Sequence, residues 1–223
     1  ADPHDAGRPD GAALARGLAQ LAHHVGTARQ YGLPAVVAVN RFPDDPQDEL
    51  AAVVRWCEGA GVPCAPCTGF RDGPTGSLEL ADVVSDALAA TDAAPARPWH
   101  PSAPDASYQD KLHAVATTAY GAQGVDVAPA AARELDRITA AVGTGLPVCV
   151  AKTHLSLSDD PRRRGVPTGF RIRVREARLA AGAGFVVAST GSIVTMPGLP
   201  RVPAALRVRI GDDGVIRGLM AGG

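Results

Sequence analysis

No apolar run in this 223-residue chain approaches the roughly 18 residues that a bilayer-spanning helix needs, so no such helix is expected. Lysine is nearly missing. Lys111 and Lys152 are the only two, and almost all the positive charge is arginine. With a net charge of −1 and a pI near 6.7, the chain carries no basic footprint for nucleic acid. It holds no Gly-x-x-x-x-Gly-Lys-[Ser/Thr] segment, so it has no phosphate-cradling P-loop of its own. Gly182-Ala183-Gly184 is not followed by a helix start in a Gly-x-Gly-x-x-Gly frame, which removes the dinucleotide fingerprint. Cysteine is sparse as well: Cys57, Cys64, Cys67 and Cys149, with one Cys-x-x-Cys at 64–67. Tetrahedral zinc would need a second pair at matching spacing, and there is none. A redox dithiol normally sits where a strand feeds a helix N-terminus, whereas Pro63, Pro66 and a long Gly-rich loop surround this one. The reading is ordinary thiols of a reducing compartment, with no metal. The first residue is Ala and nothing resembles a signal peptide, so the expectation is a cytoplasmic protein whose chain starts inside a larger one.

What is present centres on Pro34–Asp45. The run Ala35-Val36-Val37-Ala38-Val39 is apolar without alternation, which predicts an inner parallel strand covered on both faces. Such sheets bind ligands beyond the carboxyl ends of their strands. There the sequence turns abruptly polar, with Asn40, Phe42, Pro43, Asp44 and Asp45. An amide that both donates and accepts, next to a flat phenyl face, suits a planar heterocycle. The plainer alternative is a strand end whose Asn caps the next turn and whose Phe plugs the core.

Around that strand the pattern is α/β. Leu14, Leu18, Leu21 and Val25 recur at helical spacing over 11–31, and Gly32-Leu33-Pro34 ends that helix. Asp45 is the expected N-cap of a helix through about 60, with Pro46 at its first position. Val62-Pro63-Cys64 is a short strand candidate. Residues 67–77 form a Gly-rich loop in which Phe70 is the only large apolar side chain, there either to anchor the loop or to line a site. Ser77 opens a helix to about 90. Residues 93–105, with four prolines, are the expected linker, dividing the chain into 1–92 and 106–223.

Beyond the linker, Tyr108–Tyr120 and Pro129–Val142 read as helices, and Leu146–Ala151 as a buried strand. It exits into Lys152-Thr153-His154-Leu155-Ser156-Leu157-Ser158-Asp159-Asp160-Pro161. Lys152 there could meet an anion or pair with Asp159 or Asp160; the salt bridge is the favoured reading. Arg162-Arg163-Arg164 reads as a solvated turn in preference to an anion site. Phe170–Val174 alternates as a half-exposed strand, while Gly182–Ala188 is a buried one whose glycines imply close backbone packing. Met196–Pro200 is a rigid loop, and Asp212-Asp213-Gly214 closes a hairpin.

Gly32–Asp45, Leu146–Pro161 (with Ala-Lys-Thr and Ser-Leu-Ser-Asp-Asp-Pro), Gly182–Val187 and Thr195–Pro200 together carry a resemblance. In that order, over nearly the whole chain, they resemble the carboxy-terminal portion of formate–tetrahydrofolate ligase, also called formyltetrahydrofolate synthetase. The resemblance implies part of a P-loop NTPase-like parallel sheet (1–92) followed by a smaller α+β subdomain (106–223). It implies an ATP-dependent carbon–nitrogen ligation in which formate takes the γ-phosphoryl group and formyl phosphate then formylates N10 of tetrahydrofolate. In relatives the pterin lies between two aromatics, which fall on Phe42, next to Pro43, and on Phe70, where the family has Trp. Asn40 and Lys152 are further candidates for the substrate pocket. Weaker folate binding is expected with Phe70 than with Trp.

Other departures are Gly73-Pro74 in place of a double glycine, and His154-Leu155 in place of Gln-Tyr. The family's P-loop and its formyl-phosphate ligands lie upstream of the matched segment, so the catalytic residues are expected before residue 1. ATP with Mg²⁺ would be a substrate of the complete enzyme, a monovalent cation is a further candidate, and no bound cofactor is expected on this segment. The implied partners are tetrahydrofolate, the amino-terminal half, and further copies in a homo-oligomer, with neither nucleic acid nor membrane. The chain alone is expected not to turn over. The alternative is a non-catalytic folate-binding module from a split or decayed ligase. A guanine-binding reading of Asn40-Arg41-Phe42-Pro43 fails because Pro43 stands where an Asp must pair with the base.

Overall fold

The computed structural model describes residues 9–30, 32, 34–90, 102–191 and 201–218. They fall into two compact units, 1–191 and 192–223. Of the expected linker, residues 93–101 lie outside the described residues, as does the whole of the expected Met196–Pro200 loop.

The first unit opens with helix α1 (Gly11–Arg29), capped by the Asp10 carboxylate, which accepts from the Ala13 N–H at 2.8 Å. Strand β1 (Val37–Asn40), helix α2 (Gln47–Gly59) and strand β2 (Cys64–Cys67) follow. The two strands pair in parallel, with Val37 opposite Cys64 and Asn40 opposite Cys67. Helices α1 and α2 cover one face, where Val25, Val37, Cys57 and Val62 form a core with Leu21, Val39, Val53 and Cys64 packed against it. The expected cover on both faces is not found. Val37 is buried and Val39 half-buried, but Ala38 and Asn40 are exposed, because among the described residues nothing packs over the second face of β1.

After β2 come a short helix α3 (Gly69–Asp72), a 3-10 turn (Gly73–Ser77) and helix α4 (Leu78–Ala89), which lies over β2. The stretch expected to be a loop is therefore helical. Cys64 and Cys67 sit on one strand, three residues apart, so their side chains leave opposite faces and all four cysteines are free.

Helices α5 (Tyr108–Tyr120) and α6 (Pro129–Val142) have the bounds read from the sequence. Between and after them run β3 (Val125–Val127), β4 (Val148–Ala151), β5 (Ile172–Val174), β6 (Glu176–Ala180) and β7 (Phe185–Ser189). Strands β3 and β5 pair in parallel, and β7 lies between parallel β4 and antiparallel β6. Tyr108, Leu112, Leu135, Ile138, Val174 and Val186 interlock as the larger core. Each such side chain contributes about 1.5–3 kcal/mol on burial. Gly182 and Gly184 form the β6–β7 turn with open space around both, so close packing is not what they provide; Gly184 supplies a φ of 73°.

Lys111 is buried on α5, and its ammonium donates to the carbonyls of Pro104 (2.6 Å), Leu146 (3.0 Å) and Thr144. These bonds pin the residues before α5 to the segment entering β4. The second unit contains a hairpin of β8 (Arg209–Ile210) and β9 (Ile216–Arg217), closed over Asp212-Asp213-Gly214 as expected, with Gly214 at φ 74°. The architecture is mixed α/β with small parallel sheets.

Candidate functional site

Parallel pairing puts the carboxyl ends of β1 and β2 at one rim, locked where the Arg41 N–H donates to the Cys67 carbonyl at 2.9 Å. Each strand then delivers one phenyl ring: Phe42 follows Asn40 by two residues, and Phe70 follows Cys67 by three. Phe42 is 50% exposed and Phe70 78% exposed. An aromatic that fills a core loses nearly all its surface, so neither ring fills a core formed by the described residues. Asn40, on the open face of β1, is exposed beside them.

Phe42 is held by its backbone. Its N–H donates to the Asp45 carboxylate at 2.7 Å, while the Asp45 N–H donates to the Phe42 carbonyl at 3.2 Å. This reciprocal turn corrects the expected N-cap: Pro46 occupies that position of α2 and Asp45 bonds backwards to Phe42. An Asp closing a turn through Pro is a known alternative to helix capping, and the local sequence suits both.

Phe70 stands on a similarly closed platform. The Thr68 N–H donates to the Gly76 carbonyl, and the Arg71 and Asp72 N–H groups donate to the Thr68 carbonyl, each at 2.9 Å. A Cβ on Gly76 would lie 2.7 Å from the Thr68 carbonyl carbon, so only glycine lets the loop close. Gly73, at φ 62°, makes the bend that follows. Arg71 pairs with Asp72 at 2.7 Å. Its guanidinium, and then Thr68, hold the Asp72 carboxyl at about 2. Cys67 Sγ lies 3.6 Å from Ser77 Oγ. The Gly69 N–H and the Ser77 hydroxyl lower the Cys67 thiol below its ordinary value. Cys57, by contrast, is buried, and that burial with its Cys64 neighbour raises its thiol to about 11.

Lys152 stands at the end of β4. Its ammonium donates to the Thr153 carbonyl at 2.9 Å and to the Ser156 carbonyl, and lies 4.9 Å from the centre of the Tyr120 ring. Burial lowers its pKa, with Asp159 opposing that shift at longer range. The expected salt bridge to Asp159 or Asp160 is not formed. Asp159 instead accepts from the Arg173 N–H at 3.0 Å, and Asp160 pairs with Arg162 at 3.0 Å. Carbonyls win because the turn after β4 folds back over the ammonium. Arg162 is 88% exposed in its side chain, as a solvated turn requires.

The rim thus offers two exposed flat faces and one amide, a set that can grip a planar heterocycle by stacking. No cluster of three or more potential metal ligands occurs among the described residues. Comparison with known proteins decides which family the chain belongs to. The family profile described as formate–tetrahydrofolate ligase matches residues 2–220. The chain belongs to the formate–tetrahydrofolate ligase family. It is 51% identical over 222 residues to the formate–tetrahydrofolate ligase of Myxococcus xanthus, covering 100% of this chain and 40% of that protein. The Bacillus licheniformis ligase is 45% identical over 207 residues, covering 93% of this chain and 36% of its own length. For the Thermus thermophilus ligase the figures are 43% over 213 residues, 96% and 38%. The chain therefore spans about 40% or less of these relatives.

Within the ligase family the sequence points to Phe42, Pro43 and Phe70. It does not point to what closes the turns carrying them: Asp45 for Phe42, and Thr68 and Gly76 for Phe70. Their one legible signal is turn chemistry, Pro-Asp-Asp in one case and spaced glycines in the other. No helix among the described residues is long and apolar enough to cross a membrane.

Proposed function

We propose that this chain is the folate-binding portion of a formate–tetrahydrofolate ligase, the two rings clasping the pterin of tetrahydrofolate beside Pro43 and Asn40. The observation that carries this is the pair of exposed phenyl rings, Phe42 and Phe70, at the carboxyl ends of two adjacent parallel strands. Each stack contributes about 1–3 kcal/mol, by analogy with nucleobases on aromatic side chains. The arylamine N10 is a weak nucleophile, so holding the pterin still supplies rate through orientation. Formate, ATP with Mg²⁺, and formyl phosphate are handled by residues outside this chain, which has no P-loop lysine. The 1–92 segment is then part of a larger P-loop NTPase-like sheet and 106–223 a smaller subdomain. The complete enzyme is a cytoplasmic homo-oligomer. Lys152, bonded to two carbonyls, supports the turn after β4 and gives little support to a role in the pocket.

The test is formation of 10-formyltetrahydrofolate, ADP and phosphate from ATP, formate and tetrahydrofolate, with this chain alone and joined to the rest of a family ligase. Turnover only when joined is expected; turnover by the chain alone would overturn the division of labour. Folate binding without turnover in either form favours the alternative, a non-catalytic folate-binding module of a split or decayed ligase.

A further inference from the structure

Parallel pairing does more than align two strand ends. Asn40 and Cys67 are register partners, so their side chains leave the sheet on the same face, from backbones about 4.8 Å apart. That is the face on which Ala38 stands exposed. Phe42 follows Asn40 by two residues and Phe70 follows Cys67 by three. Asn40 and Cys67 therefore form the floor from which both ring-bearing turns rise.

On the β2 side of that floor the polar groups are already committed. The Gly69 N–H donates to Cys67 Sγ, which also lies 3.6 Å from Ser77 Oγ. A Cβ on Gly69 would collide with Ser77 Oγ, so this corner has no room for another group. The β1 side is different. Asn40 is exposed, and its side-chain amide makes no hydrogen bond among the described residues. An Asn that capped the turn after its strand would have given its oxygen to a backbone N–H. Asp45 closes that turn instead, through the Phe42 N–H at 2.7 Å. Asn40 thus keeps both an acceptor oxygen and a donor NH2 for a ligand.

We propose that Asn40 reads the lactam edge of the pterin, its NH2 donating to the 4-oxo oxygen and its Oδ1 accepting from the N3–H. Adjacent donor and acceptor on the amide meet adjacent acceptor and donor on the ring, the kind of two-point pairing by which Asn reads adenine. Stacking grips any flat heterocycle and leaves it free to turn between the two phenyl faces. The amide pair fixes which edge points at the sheet. With N3 and O4 on the floor, the C6 arm that bears N10 sits at the far end of the ring system and leaves the clasp outward. N10 is the atom to be formylated, so this edge choice is what presents it, and rate follows from such orientation. The assignment rests on the folate clasp and adds to it the edge that is read and the residue that reads it.

The test titrates tetrahydrofolate and 3-methyltetrahydrofolate, which lacks the N3–H, into the wild-type chain, Asn40→Ala and Asn40→Asp. Each substitution is expected to weaken tetrahydrofolate binding about tenfold, as the loss of two modest hydrogen bonds requires. Asn40→Asp keeps the side-chain shape but sets a second acceptor against O4, so it separates hydrogen-bond reading from mere filling of space. Wild type is expected to bind the 3-methyl compound about tenfold more weakly than tetrahydrofolate, whereas Asn40→Ala binds the two within about twofold, because the group that tells them apart is gone. Both variants should melt with wild type, since Asn40 is exposed. Wild-type affinity for tetrahydrofolate in either variant overturns the proposal. So does an equal penalty for the 3-methyl group in wild type and Asn40→Ala. If Phe42→Ala and Phe70→Ala weaken binding in the same series, those results refute the edge assignment and leave the clasp standing. Absence of tetrahydrofolate binding by wild type, both alone and joined to the rest of a family ligase, overturns the two together.

Discussion

Replacing Phe70 by alanine separates a ligand-facing ring from a structural one. The side chain is 78% exposed, so truncation forfeits about a fifth of the roughly 1.5–3 kcal/mol that full burial contributes, or about 0.3–0.7 kcal/mol. For a chain of this size that is a melting-temperature shift of about 1–2 °C. A lost pterin stack, in contrast, is worth about 1–3 kcal/mol, which raises the Kd for tetrahydrofolate about 5- to 150-fold. Calorimetric titration of tetrahydrofolate into the wild-type chain and the Phe70→Ala variant, with thermal melts of both, measures the two effects independently. Phe70→Trp enlarges the stacking face and is expected to tighten binding. The reasoning is refuted if Phe70→Ala leaves the Kd within about twofold of wild type, since even the weakest stack predicts more. It is also refuted if the melting temperature falls as it would for a core residue.

Gly76→Ala drives a methyl into the Thr68 carbonyl carbon at 2.7 Å and is expected to cost about 1–3 kcal/mol, read as a lower denaturant midpoint with an unchanged slope. Lys111→Met strands the three carbonyls of Pro104, Thr144 and Leu146; a loss of about 2–5 kcal/mol is expected, visible by urea unfolding. Asp72 has a folded pKa lowered to about 2 from an ordinary 3.8. Its contribution is therefore complete above 3.8 and lost as pH falls through 2. Carboxyl carbon shifts should place its midpoint near 2, and a midpoint near 4 would mean that the Arg71 pair does not form in solution. Among the thiols, Cys67 is expected to react with iodoacetamide well before Cys57, because thiolate is the reactive form and burial holds Cys57 at about 11; mass spectrometry of a time course decides the order.

Helix positions were legible because their signals are local. The sequence reading placed α5 and α6 to the residue, and Asp-Asp-Gly placed the β8–β9 turn. Turn partnerships were less so. Asp45 satisfies the rule for a helix cap equally well, and only the folded turn assigns it to the Phe42 N–H. Lys152 has two aspartates within eight residues, yet the turn after β4 presents carbonyls first.

The sequence by itself settled the family, the longer helices and the two aromatics after strand ends, since each depends on residue types at short spacing. Tertiary structure alone decided that both rings stay exposed near one rim and that Asp45, Thr68 and Gly76 close the turns that carry them. It also decided that the second face of β1 stands uncovered. The reason is physical: an apolar run records that a strand is meant to be covered, but whether the covering element belongs to the same stretch of chain depends on contacts that no local pattern encodes.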